Sequence, residues 1–262
     1  MPDSPTTSLT QELTQIYRDS RKQRDISWNV YVARPIAAVL LYFLRRTSLT
    51  PNQVSFLGAF LFLGVAGALV GVTGWQGMAL GALAIQVSYW FDCVDGQLAR
   101  LKSMTSPVGM YLDFLIDEFK ALLLVAACAL RLWRFDGREL WLIVGMLGVG
   151  MVAVATSLTT FVRRPEYAGH EIKPGVHQEK PMPTSPLGKL IWLAERLAQW
   201  IVHYPSWFHY VALVAVFLPP WLDGAAVFLL LFLGVYGVYI AKTGLGIFLR
   251  LASPNFYKPK LS

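Results

Sequence analysis

Six stretches of this chain stay apolar for about as long as a helix needs to cross a lipid bilayer, and nothing else in the sequence narrows the fold as much. The hydrocarbon core takes about 20 helical residues, and the runs lie near 51–72, 77–101, 108–132, 139–162, 205–221 and 224–249. Inside lipid each backbone N–H and C=O must be satisfied within its own segment, so spans of this length are α-helical. The expected fold class is an all-α integral membrane protein, a six-transmembrane-helix bundle preceded by N-terminal cytoplasmic and interfacial amphipathic helices. With 55% hydrophobic and only 15% charged residues, and a mean hydropathy of +0.47, a soluble core is excluded. The net charge of +7 does not indicate a nucleic-acid partner. The basic residues gather at the ends of apolar runs, where membrane proteins place them.

Local signals sharpen the boundaries. Thr50-Pro51-Asn52 offers a capping hydroxyl and a proline suited to the first helical turn. Short Gly- or Pro-rich connections at 71–76 and 219–224 make the neighbouring helices antiparallel hairpins. Arg45, Arg46, Lys102, Arg163, Arg164, Lys173, Lys180, Lys189, Arg250, Lys258 and Lys260 fall on one side, against Arg131, Arg134 and Arg138 on the other, so both termini are expected in the cytoplasm. Upstream, Leu9, Leu13, Ile16 and Tyr17 share a helical face, and Ser8 with Gln11 has capping-box spacing. Residues 35–43 follow Arg34 and read as an interfacial helix rather than a span. The expected division is a cytoplasmic and interfacial segment over 1–49 and a membrane domain over 50–262. A polar cytoplasmic loop at about 163–204 contains an amphipathic segment from Leu187 to His203. No apolar core of signal-peptide type precedes Arg24, so the N-terminus is expected to be retained. Cys93 and Cys128 lie within apolar segments, and no disulfide is expected of them.

The anomaly in this apolar chain is acidic. Asp92 and Asp95 stand three apart, Asp113 and Asp117 four apart, so each pair projects from one face of its helix, and the hairpin between them brings the pairs together. From the expected helix ends, a rise of about 1.5 Å per residue puts all four roughly 8 to 15 Å inside the cytoplasmic edge. Intramembrane carboxylates at this density need cations. Hard oxygen ligands suit Mg²⁺ or Mn²⁺, and two ions about 3.5 to 4 Å apart can share them. Gly96, Ala99 and Gly109 leave the same helix faces bare for a ligand, and Arg100 supplies a forked donor for phosphate oxygens. Metals with a guanidinium describe a diphosphate site.

The run D-x-x-D-G-x-x-A-R, eight residues, G-x-x-x-D-x-x-x-D extends from Asp92 to Asp117 and fixes eight positions in 26 residues. It resembles the signature of the CDP-alcohol phosphotransferase family, and Thr50-Pro51-Asn52-Gln53-Val54-Ser55 resembles that family's usual opening of its first span. The resemblance covers about residues 50–120 and implies a phospholipid-synthesising membrane transferase. An acceptor alcohol attacks the β-phosphorus of a CDP-linked donor, CDP-diacylglycerol for preference, and CMP leaves. It further implies that Asp92, Asp95 and Asp113 are metal ligands, and that Asp117 is a further ligand and the general base. Gly96, Ala99, Arg100 and Gly109, with Asp92, then hold the CDP moiety, and the enzyme is a homodimer. The wording of the motif looks closest to the branch using inositol phosphate, although the family also serves other small polar alcohols.

Lys120, Arg163, Arg164 and Lys242 are expectations for acceptor binding, against plain charge pairing or positive-inside anchoring. His170, His177, His203 and His209 lack mutual metal-ligand spacing and read as surface groups. The competing function is a divalent-cation transporter or channel, since intramembrane acids also mark ion paths. Arg100 beside the carboxylates argues against it, because a guanidinium there repels the cation.

Overall fold

Ser8 starts the first helix as its spacing predicts: its hydroxyl accepts from the Gln11 N–H at 3.3 Å while the Gln11 side chain accepts from the Ser8 N–H at 3.0 Å, capping α1 (Leu9–Ser20). The computed structural model describes residues 8–22, 25–169, 182–218 and 222–253. A π-helical turn (Asn29–Ala33) leads into α2 (Arg34–Leu44), and the bundle follows as α3 (Pro51–Gly71), α4 (Gly74–Leu101), α5 (Pro107–Asp136) and α6 (Leu140–Arg163). Next come the short α7 (Pro165–Ala168), α8 (Pro186–Val202), α9 (Phe208–Val214) and α10 (Gly224–Ala252). The protein is an all-α, multi-pass integral membrane protein. Among the described residues, α3, α4, α6 and α10 are long and apolar enough to cross a bilayer. At 30 residues α5 is the longest helix, about 45 Å by helical rise, but its charged side chains lower its hydropathy.

The expected boundary at Thr50 holds. Its hydroxyl caps the Gln53 N–H, the Gln53 side chain caps back, and Pro51 occupies the first turn. The α3–α4 turn runs through Gly74, whose φ of +63° suits glycine. Close helix approach then rests on small residues. A Cβ on Gly58 of α3 would lie 3.2 Å from Phe91 Cβ on α4, and Ser88 Oγ donates to the Gly58 carbonyl at 2.7 Å. Two apolar clusters result. One, under the N-terminal helices, joins Ile16, Ala37, Leu41, Val94 and Leu98. The larger one joins α3, α4, α5, α9 and α10 through residues such as Phe62, Leu124, Phe208, Phe228 and Phe232.

At the end of the bundle away from Arg100, Arg131 is completely buried and every arm of its guanidinium is used. Nε and Nη2 meet the Asp223 carboxylate, Nη1 donates to the carbonyls of Leu69 and Val72, and Nη2 donates to that of Gly74. The Leu69 carbonyl lies in the last turn of α3 and that of Val72 just after it, where helix geometry leaves acceptors without intrahelical donors, while that of Gly74 opens α4.

One expected span needs correction. The apolar run 205–221 does not form one span: a 3-10 turn (Tyr204–Ser206) separates α8 from the seven-residue α9, and 219–221 lie outside the described residues. The break is held from α4, whose Gln86 amide donates to the Pro205 carbonyl and whose Tyr89 hydroxyl meets His203 Nε2 at 2.9 Å. His203 and His209 are therefore packed rather than surface groups, His209 stacking on Trp28 at 4.7 Å. His170 and His177 lie outside the described residues. The helix α2 packs one face on the bundle: its Ala37, Ala38 and Leu41 are buried against α4 while Val39 and Phe43 are exposed, and Arg34 pairs with Asp25. Burial works against the Asp25 carboxylate, but the Arg34 charge, the Asn29 amide and the Ile26 N–H outweigh it and hold the carboxyl below its usual range.

Candidate metal centre

Three helix ends converge on one side of the bundle: the first turns of α3, the last turns of α4 and the first turns of α5. Asp92 and Asp95 lie about 14 and 9 Å before the end of α4, and Asp113 and Asp117 about 9 and 15 Å into α5, so antiparallel packing levels them. One carboxylate oxygen each from Asp92, Asp113 and Asp117 lies within 4.8 Å of the others. Asp92 is half-buried, while Asp113 and Asp117 open outward, the Asp117 side chain being 57% exposed. Hard oxygens at this spacing fit a single Mg²⁺-like ion with room for water or substrate on its open side. Asp95 is different. It is buried, and its Oδ2 accepts from Ser55 Oγ at 2.5 Å.

Lys120, one turn beyond Asp117, points back into this cluster. Its ammonium is 2.6 Å from Asp92 Oδ1 and 3.8 Å from Asp117 Oδ1, and the side chain is only 4% exposed. A buried ammonium persists in an apolar bundle only with such partners.

The small residues of the motif sit at close approaches. Gly96 allows Arg100 to fold back along α4: a Cβ at 96 would stand 3.4 Å from Arg100 Nη1. Arg100 Nε donates to the Ser20 carbonyl at the end of α1, at 2.5 Å, and its Nη2 is buried with no hydrogen-bond partner among the described residues. Gly109 sits where a Cβ would approach Ser106 Oγ at 3.2 Å and Asn52 Oδ1 at 3.7 Å, bringing the α5 backbone against the start of α3. Ala99, half-buried on the same turn as Arg100, keeps that surface low.

The three remaining candidates separate. Arg163, at the end of α6, lies over the Phe114 ring at 5.2 Å, and its buried Nη1 has no hydrogen-bond partner among the described residues. Arg164 is exposed beside it. Lys242 on α10 pairs instead with Glu195 of α8. Glu118, adjoining Asp117, faces α6 and accepts from the Thr156 hydroxyl. Sequence reasoning missed Ser55, Ser20 and Thr156. Ser55 stands in the opening of α3 that had already been singled out, but hydroxyls in spans commonly bond their own helix, and only the tertiary fold shows it meeting Asp95.

Comparison with known proteins agrees with this geometry. Two proteins named bifunctional IPC transferase and DIPP synthase are similar to the chain, one from Aquifex aeolicus (strain VF5), 33% identical over 110 residues, and one from Thermococcus kodakarensis, 33% identical over 112. In both cases the alignment covers 41% of this chain and 24% of the relative, so the chain matches about a quarter of the length of these proteins. The family model for CDP-alcohol phosphatidyltransferases matches residues 48–236, from the start of α3 into α10 and across the whole acidic cluster. The chain belongs to the CDP-alcohol phosphatidyltransferase family and carries the transferase domain of that family.

Proposed function

We propose that the protein joins a phosphoryl-linked lipid to a small polar alcohol, taking CDP-diacylglycerol as donor and releasing CMP. The observation that carries this is the convergence of Asp92, Asp113 and Asp117 beside a glycine-bared face that ends in Arg100. Mg²⁺ or Mn²⁺, when bound to those three carboxylates, supplies the positive charge that a diphosphate leaving group requires. Arg100 and the bare backbone at Gly96, Ala99 and Gly109 hold the cytidine diphosphate. The acceptor oxygen forms a bond to the β-phosphorus, and the bond from that phosphorus to the bridging oxygen breaks, so that CMP carries the electron pair away. Asp117, with its side chain open to solvent, takes the acceptor's proton and passes it to water.

The acceptor is inositol phosphate or another small polar alcohol. Arg163 and Arg164 at the mouth support a phosphate-bearing acceptor, since Arg163 holds a guanidinium nitrogen without a protein partner among the described residues. Lys120 and Lys242 reach an acceptor only by first leaving Asp92 and Glu195. A second ion at the centre would draw on Asp95, whose hydrogen bond from Ser55 leaves acceptor sites for a metal, and on acceptor sites of Asp92 that Lys120 does not take. The excess of basic residues at the end bearing the cluster supports an active site and termini on the cytoplasmic side, and a homodimer belongs to the same reading through the family.

The test is purified protein in detergent with CDP-diacylglycerol, Mn²⁺ or Mg²⁺, and a panel of alcohols, with CMP release as the readout. Release should require both metal and one acceptor, and Asp117→Asn should lower it at least about 100-fold, the size of a general-base contribution. Undiminished release in EDTA, or at full rate in Asp117→Asn, would discard the mechanism.

A further inference from the structure

Beside Asp117 the bundle carries polar side chains that neither the acidic motif nor a metal uses. Glu118 is an ionisable group among membrane-spanning helices, where a charge needs a partner or a ligand. One of its oxygens accepts from the Thr156 hydroxyl on α6, and the other has no hydrogen-bond partner among the described residues. Tyr204 and Tyr236 are each 8% exposed, and their hydroxyls have no hydrogen-bond partner among the described residues either. The three groups converge. Asp223 and Arg131 tie α10 to α5 at the far end of the bundle. From that tie, a rise of about 1.5 Å per residue puts Glu118 and Tyr236 at the same depth, about 20 Å, and Asp117 at about 21 Å. Glu118 and then Asp117 are the carboxylates acting on the Tyr236 hydroxyl, and Asp117 is the first acting on that of Tyr204. The 3-10 turn that interrupts the apolar run 205–221 delivers Tyr204 to this place, its ring set edge-on against Phe62 at 6.1 Å and Phe232 at 6.4 Å.

We propose that Glu118, Tyr204 and Tyr236 form the floor on which the acceptor's spare hydroxyls lie, and that the acceptor is a phosphorylated polyol rather than an amino alcohol or a short chain with a single spare hydroxyl. This rests on the reading that Asp117 takes the proton of an acceptor alcohol, and it goes beyond it by naming what holds the rest of that molecule. A hydroxyl donates one hydrogen bond and accepts up to two, a phenol answers either way, and a carboxylate oxygen only accepts. Two phenols and one carboxylate therefore suit several alcohol groups presented together. An ammonium is served worse, because Arg163 is the charge that acts on Glu118 and offsets it. The same Arg163, with a buried guanidinium nitrogen that has no hydrogen-bond partner among the described residues, suits the acceptor's phosphate. Among buried groups of this kind each hydrogen bond to the acceptor is strengthened by the low local dielectric.

The experiment is acceptor kinetics of the full chain in detergent with CDP-diacylglycerol and Mn²⁺, reading CMP release with inositol phosphate, glycerol phosphate and serine as the probes. Wild-type protein should favour inositol phosphate over the other two by at least about tenfold in kcat/KM, the equivalent of one or two hydrogen bonds. Tyr204→Phe and Tyr236→Phe should each raise the KM for inositol phosphate about 3- to 10-fold, and Glu118→Gln about tenfold or more, with kcat at saturating acceptor changed less than about twofold. The KM for glycerol phosphate should move less than about twofold in all three, so that the preference narrows. Equal use of glycerol phosphate or serine by the wild type would overturn the proposal whether or not the variants fold, and so would folded variants that keep the wild-type preference. The two levels of the reading fail differently. No CMP release with any acceptor in the presence of Mn²⁺ means that the proposed reaction itself fails and the floor falls with it; metal-dependent release that is indifferent to the acceptor's hydroxyls sinks the floor alone.

Discussion

Replacing Arg131 with methionine should unfasten the end of the bundle opposite the acidic cluster. Methionine fills much of the same volume without a polar head, so the loss comes from the partners left behind. The Asp223 carboxylate, a quarter exposed, loses its bidentate partner, and the carbonyls of Leu69, Val72 and Gly74 lose donors at 2.9, 2.8 and 2.7 Å. Breaking a buried ion pair by removing one partner costs about 3 to 5 kcal/mol. The exposed edge of Asp223 recovers some hydration, while the Leu69 carbonyl adds roughly 1 kcal/mol or more if it stays dry. A net loss of about 4 kcal/mol corresponds to a fall in Tm of roughly 8 to 16 °C at the scaling for chains of this size. Arg131→Lys, which keeps a charge but not the fork, should lose about half as much. The assay is thermal unfolding in detergent, paired with Mn²⁺ affinity measured in the cold. Arg131 lies about 21 Å along α5 from Asp117, so metal affinity should be unchanged in the folded variant. A Tm within about 2 °C of wild type would refute the claim that this guanidinium ties α3, α4 and α5 to the start of α10.

Two glycines on α6 make a matched pair of stability tests. Gly145→Ala puts a Cβ at 2.5 Å from Ala129 Cβ, an atom that cannot swing aside, and should destabilise by about 1 to 3 kcal/mol, whereas Gly150→Ala meets nothing within 4 Å and should gain up to about 1 kcal/mol from helix propensity. Equal Tm values for the two would show that the α5–α6 crossing is not packed as described. The Asp25–Arg34 pair makes docking of the N-terminal segment acid-sensitive. Because the Asp25 carboxyl is held below its usual range, the pair contributes fully above about pH 4 and is lost as the pH falls through the lower folded value. Limited proteolysis within α1 should therefore be flat from about pH 7 to 5 and should rise only in stronger acid, and in Asp25→Asn it should be high at every pH. A rise in cleavage centred near pH 6 would contradict the assignment.

Much of this architecture was legible because membrane burial writes itself into local sequence. The length of the apolar runs set the long helices, the Ser8–Gln11 and Thr50–Pro51 signals fixed two helix starts, and the three- and four-residue spacing of the aspartates put three of the four into one cleft. What escaped depends on partners distant in the chain. The run 205–221 has the hydropathy of a span, but Pro205 is held in a break by Gln86 and His203 by Tyr89, both on α4. Arg34 announced a charge at the start of α2, but its pairing with Asp25 nine residues earlier could not be read from spacing alone. Asp95 carried the same motif signature as its neighbours, and nothing local in the sequence showed that the Ser55 hydroxyl would meet it. Periodicity shows which face a residue occupies and is silent on which hydroxyl or ammonium meets it there.

The central claim is that acids from α4 and α5 together grip a divalent ion. Crystals grown with Mn²⁺ and a cytidine nucleotide, measured at the manganese absorption edge, test it most directly. The account predicts an anomalous peak within coordination distance of Asp92, Asp113 and Asp117, with the nucleotide's diphosphate against it and its path passing Gly96 and Arg100. A peak elsewhere, or nucleotide bound with no metal between it and those three carboxylates, would contradict it.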